Sequence, residues 1–152
     1  MVRFKNRYLL VEFIFDEDAP NGKPSVTEGL LHSIIRDSLA ANFGEVGWGQ
    51  VGTTLTIKYW SQTTGLAIIR TSRPTLPVVW GAITFIRAIK EVGCCARVIH
   101  VGGTIRKTQQ AAIRYDRELL LAMDGNDATV PVSTRTQFEL SKSQQALESL
   151  EP

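Results

Sequence analysis

Residues 100–115, HVGGTIRKTQQAAIRY, hold the residue types that usually do phosphate chemistry: a glycine pair after an apolar run, then a Lys-Thr pair. A nucleotide loop of the P-loop kind needs four residues between its first glycine and a Gly-Lys-Ser/Thr triplet, so that an arc of backbone N–H groups can wrap the phosphates. Here Arg106, not glycine, precedes Lys107, and only Thr104 and Ile105 separate Gly103 from Arg106. That spacing excludes the loop and leaves a strand, two glycines and a basic helix start. Bare N–H groups at a helix N-terminus favour a phosphate through the helix dipole.

At about 100° per residue, Arg106, Lys107, Arg114 and Arg117 fall within roughly a quarter of the helix circumference. Ile105, Ala112, Ile113, Leu119, Leu120 and Met123 take a separate arc, and Asp116 and Glu118 point away from the basic one. A second basic cluster, Arg3, Lys5 and Arg7, alternates with Val2, Phe4 and Asn6, so an extended arm projects three cations from one side. Both clusters suit phosphate and neither needs to read bases. Other chemistry finds little support. The acids of DEDAP lie in a turn-rich loop without histidine, no Cys-x-x-Cys spacing occurs, and no nucleophile stands beside a base. The adjacent Cys94 and Cys95 read as small apolar residues at the start of a strand, in a reducing compartment. No cofactor and no metal are expected.

The 152 residues suffice for one domain with a core, and no apolar run approaches the roughly 20 residues that span a bilayer. No membrane partner is expected, and the basic N-terminus runs straight into a strand rather than a secretory signal. The net charge of +2 conceals a division. Residues 1–123 carry 15 Lys/Arg against 10 Asp/Glu, and residues 124–152 carry 2 against 5. The organisation expected is a basic domain over 1–123 and a polar, acidic tail over 124–152, flexible in isolation, with a weakly helical piece near 138–150.

The elements that must position these groups follow from periodicity. RYLLVEFIF (7–15) is apolar on both alternating faces, as a strand covered on two sides would be. Ser25 and Glu28 form a capping box, Leu30, Leu31, Ile34, Ile35 and Leu39 share a helical face, and Gly44 stops that helix. VGTTLTIKYW (51–60) alternates as a half-buried strand, and LAIIRTS (66–72) returns as its hairpin partner. Pro74 and Pro77 start a second helix whose face carries Val79, Ala82, Ile83, Ile86 and Ile89 up to Gly93. CCARVIHV (94–101) is a fourth strand, and a helix from about Thr104 to Met123 follows. The fold class is α+β: a ferredoxin-like or RRM-like β-α-β-β-α-β split sheet with an additional C-terminal helix. The base-stacking RRM surface is missing, because TTGLAIIRTS contains no aromatic residue. The third helix is a candidate to cover that face. Tyr8 and Trp60 are left to stack on bases, anchor a partner or, for Tyr8, enter the core.

MVRFKNRYLL, KYWSQTTGLAIIR, VVWGAITFI and above all HVGGTIRKTQ, in that order over about residues 1–121, resemble the Pop-five family of eukaryotic and archaeal ribonuclease P and ribonuclease MRP. The resemblance implies a non-catalytic, RRM-like subunit that stabilises a catalytic RNA, beside a TIM-barrel-like protein subunit and other holoenzyme proteins. The RNA itself would remove 5′ leaders from precursor tRNA, with the MRP particle acting on ribosomal RNA. Precursor tRNA is a further candidate contact, and nucleus and nucleolus are the implied compartments. RNA contact is expected at Arg3, Lys5, Arg7, Gly102, Gly103, Thr104, Arg106 and Lys107 from the motif, and at Arg114 and Arg117 from helical spacing. Two other readings fit the residues: a ferredoxin-like regulatory domain that binds a small anion at Gly102-Gly103, and an adaptor that binds only protein.

Overall fold

A computed structural model describes residues 3–123 and 134–152. The elements run β1 (Asn6–Phe15), α1 (Glu28–Val51), β2 (Thr56–Trp60), β3 (Leu66–Ser72), α2 (Leu76–Thr84), β4 (Ala88–Ile89), β5 (Val92–Gly102), α3 (Ile105–Met123) and α4 (Thr134–Glu148). The strands form one antiparallel sheet in the order β2-β3-β1-β5-β4. The four long strands follow the split arrangement expected, with β4 as a short addition at the edge. β1 lies in the middle, and Tyr8 through Phe13 are buried on both of its faces.

Alternation along β1 divides the core in two. Leu9, Val11 and Phe13 face α1 and α2, where they meet Leu31, Ile35, Leu39, Val79 and Ile83. Tyr8 and Leu10 face the other way, into a cluster with Tyr59, Leu66, Ile68, Ile105, Ala112 and Leu147. α3 and α4 therefore cover the face on which an RRM would stack bases. No helix among the described residues is long and apolar enough to cross a membrane.

Several local expectations are corrected. Thr27, not Ser25, caps α1, and its hydroxyl accepts from the Leu30 N–H at 3.2 Å. The first helix does break at Gly44, whose φ of +70° is left-handed, but the chain then turns back as a second helical stretch ending at Val51. Trp48 on that stretch meets His32 edge-on, ring centroids 6.0 Å apart. Val51 to Leu55 is consequently helix end and turn, and β2 begins only at Thr56. A bulge at Lys58 resets the alternation, so that Ile57 and Trp60 join the first core and Tyr59 the second. α2 ends at Thr84, because residues 88–89 pair with 92–93 across a two-residue turn; Gly93 lies in β5 and stops no helix.

The segment expected as a polar tail holds the helical piece expected near 138–150, longer at its start and packed on the domain. Over Thr134–Glu148 it is helix α4, seated on the second face of the sheet beside α3. Leu147 is fully buried there, and Ser143 bonds to both Tyr59 and Asp116. Residues 124–133 lie outside the described residues.

Candidate nucleic-acid interface

β5 runs into the start of α3 through Gly102 and Gly103. A side chain at Gly102 would place its Cβ 2.4 Å from the Thr108 hydroxyl, so only glycine lets the first turn of α3 pack this closely on the strand. Thr108 is fully buried, and its hydroxyl donates to the Thr104 carbonyl at 3.2 Å. Thr104 caps the helix: its Oγ1 accepts from the Lys107 N–H at 3.4 Å. The hydroxyl proton of Thr104 stays available to a ligand, as do the N–H groups of Ile105 and Arg106, which have no intrahelical acceptor.

The N-terminal arm continues β1 outward past the same place. The Lys5 carbonyl accepts from Arg73 N–H at 2.8 Å, which pins the arm beside the end of β3. Arg7 folds toward the glycine turn. Its Nη1 donates to the Asn6 carbonyl at 2.9 Å and lies 3.6 Å from where a Gly103 Cβ would stand. The result is a groove of about 490 Å³ lined by Arg3, Phe4, Lys5, Asn6, Arg7, Tyr8, Gly103, Thr104, Ile105, Arg106 and Pro152.

The structure thus brings Arg3, Lys5, Arg7, Gly103, Thr104 and Arg106 together, although about a hundred residues separate the two groups. Gly102 is buried behind them and serves packing. Lys107 and Arg114 are exposed on α3 outside the groove lining. Arg117 is also exposed but borders a separate cleft between α3 and α4. Tyr8 is buried at 4% exposure and offers no stacking face, while Trp60 is half-buried and packs edge-to-face with Phe13. Met123, expected on the apolar arc, is 63% exposed.

Sequence reasoning missed the residues that fix α3 and α4 against the sheet. Asp116 does point away from the basic arc, but into the protein: it is 3% exposed and accepts from the hydroxyls of Thr64, at 2.9 Å, and Ser143. Glu12 is buried on the same face, where Oε2 accepts from Arg97 at 2.7 Å and from the Tyr115 hydroxyl at 2.9 Å. Burial pushes the Tyr59 phenol above its ordinary value, against its bond to Ser143. These carboxylates are occupied by structural donors. Glu12 was legible in principle, as the one acid inside an otherwise apolar strand. Arg73 and Phe4 at the groove had no such signal.

The chain is thus an RRM-like domain whose sheet is covered on both faces, with Arg3, Lys5, Arg7 and Arg106 brought together at one groove. The model of the Rpp14/Pop5 family matches residues 7–113, and the chain belongs to that family. The ribonuclease P/MRP protein subunit POP5 of Schizosaccharomyces pombe is 41% identical over 124 residues, 77% of this chain and 89% of that protein. The human protein of the same name is 35% identical over 127 residues, 81% of this chain and 77% of that one. Among solved structures, a chain in yeast ribonuclease MRP matches with a TM-score of 0.56 over 97% of this chain and 95% of its own length, at 13% identity, which supports the fold.

Proposed function

We propose that this chain is a non-catalytic protein subunit of ribonuclease P and ribonuclease MRP that binds and stabilises the catalytic RNA through its phosphates. Family membership and the POP5 relatives support the assignment to these particles. One observation carries the mode of binding: the basic arm and the basic start of α3 line a single groove. In this reading Arg3, Lys5, Arg7 and Arg106 neutralise phosphates, the N–H groups after Gly103 and the Thr104 hydroxyl bond their oxygens, and Lys107 extends the contact outside the groove. Arg114 and Arg117 serve a second backbone segment or none. The RNA supplies the chemistry of 5′-leader removal and ribosomal RNA processing, with no cofactor in the protein. Nucleus and nucleolus are the proposed compartments, on the family resemblance.

Four neutralised phosphates give a salt slope of about −3 to −4 and an affinity typically of only about 1–100 μM at physiological salt. A subunit assembled with proteins gains the remainder through effective concentration. An apolar corner suits such a contact: Phe43 rests on Gly81 at the α1 reversal, and Val46 and Trp80 are exposed beside these two residues in the chain. The resemblance supplies the TIM-barrel-like subunit as the protein proposed for this surface. The deciding experiment is the salt dependence of RNA binding by the whole chain, with and without Arg106→Ala and Lys107→Ala. Loss of these two cations should flatten the slope by nearly 2 with the fold intact; an unchanged slope refutes the groove. Particle membership is tested separately, by assaying the tagged chain's eluate from cell extract for 5′-leader cleavage.

A further inference from the structure

The chain that leaves α4, Leu150–Pro152, reaches the basic groove and carries one acid there, Glu151. Gln109, in the second turn of α3, donates through Nε2 to the carbonyls of Leu147 at 2.9 Å and Leu150 at 2.8 Å. These carbonyls lie at and just beyond the C-terminal end of α4, where the Leu147 carbonyl also accepts from the Leu150 N–H at 3.3 Å. Leu147 is fully buried and Leu150 packs against the same cluster. So anchored, the chain crosses the first turns of α3, and Pro152 becomes part of the groove wall with Arg3, Lys5, Arg7 and Arg106. Glu151, next to Pro152, is exposed. The sequence from 124 onward carries an excess of acids, opposite in sign to the domain it crosses.

We propose that Leu150–Pro152 is an intramolecular guard on the phosphate groove, displaced by RNA and resistant to lesser anions. The proposal rests on the phosphate reading of the groove. A carboxylate within a Debye length of a bound phosphate opposes it, so the docked guard weakens every polyanion. The guard itself is held by two neutral hydrogen bonds and the packing of two leucines. An RNA that releases several counterions at once can displace it, whereas a single phosphate ion cannot. The docked guard then disfavours incidental anions by its charge and yields to a long phosphate backbone.

The test uses the whole chain and a fluorescein-labelled RNA hairpin, read by anisotropy at about 0.1 M salt. Glu151→Gln, an exposed change that keeps the fold, should tighten binding about threefold, and so should Gln109→Ala, which releases the anchor. Combined, they should give less than the product of the two, since both remove the same obstacle. In the unaltered chain, RNA should speed amide exchange at residues 147–152 and slow it at 103–107. If neither substitution tightens binding while Arg106→Ala still weakens it, the groove stands and the guard is refuted. If Arg106→Ala has no effect, both fall together. Should Gln109→Ala lower the melting temperature broadly, Glu151→Gln decides alone.

Discussion

Under α1 and α2 the sheet is covered almost wholly by aliphatic contact, with Leu9, Val11, Phe13 and Ile69 meeting Leu31, Ile35, Leu39 and Ile83. Under α3 and α4 a smaller apolar cluster is ringed by buried polar groups: Glu12 with Arg97 and Tyr115, Asp116 with Thr64 and Ser143, and Thr108 with Thr104. Apolar contact is strong but nearly indifferent to small shifts, whereas a buried carboxylate has few geometries that satisfy it. The first face gives the domain its cohesion. The second fixes where α3 begins, and with it the position of the groove.

The comparison breaks most readily at its apolar end. Phe13→Ala should cost about 4 kcal/mol in denaturant unfolding, with uniform loss across the domain; a cost under about 1.5 kcal/mol would mean that the first face is not the cohesive one. Gly102→Ala should cost about 2 kcal/mol by overpacking against Thr108 and should weaken RNA binding as α3 moves outward. Retained affinity in that variant would uncouple the groove from α3 packing. Asp116→Asn should cost about 1.5 kcal/mol, felt as faster amide exchange in α4 while α1 and α2 keep their protection. Loss of protection on both faces would erase the distinction.

The smallest effect is the pH dependence that Tyr59 gives the second face. Burial raises the Tyr59 phenol above its ordinary value of 10.0, so the folded chain keeps this proton where the unfolded chain loses it. The associated stability is complete below about pH 10 and is lost as pH rises through the folded value. Exchange in α4 should therefore accelerate above pH 10, and Tyr59→Phe should reduce that acceleration, while the raised Cys94 thiol and Tyr115 phenol keep their own contributions. A pH response undiminished by this substitution would assign it to another group.

The first face was more legible in the sequence than the second, for a physical reason. β1, α1 up to Gly44, and β3 announce themselves by apolar period, and the spacing of Arg106 and Lys107 from Gly103 marked one wall of the groove. The second wall was legible only as a basic arm, since nothing local says that residues 3–7 and 103–106 meet. α4 was read as tail because its surface is polar and its anchors are single groups, Leu147, Ser143 and the carbonyls held by Gln109. Ile86 and Ile89 extend a helical period that the structure does not follow, since pairing of residues 88–89 with 92–93 overrides it. That turn holds Lys90 and Glu91 at φ of +50° and +65°, a conformation that neither residue type signals.

The arm that grips one side of the groove is the direct continuation of β1, the strand paired on both edges by β3 and β5. Antiparallel ladder bonds run perpendicular to their strands, so a pull along the arm loads both ladders in shear, many bonds at once, instead of peeling them singly. On the proposed phosphate reading, an RNA segment tugging on Arg3, Lys5 and Arg7 would load the central strand of the sheet, which is held along both edges. A rearranging particle would slip at the ionic contacts before it unravelled the protein.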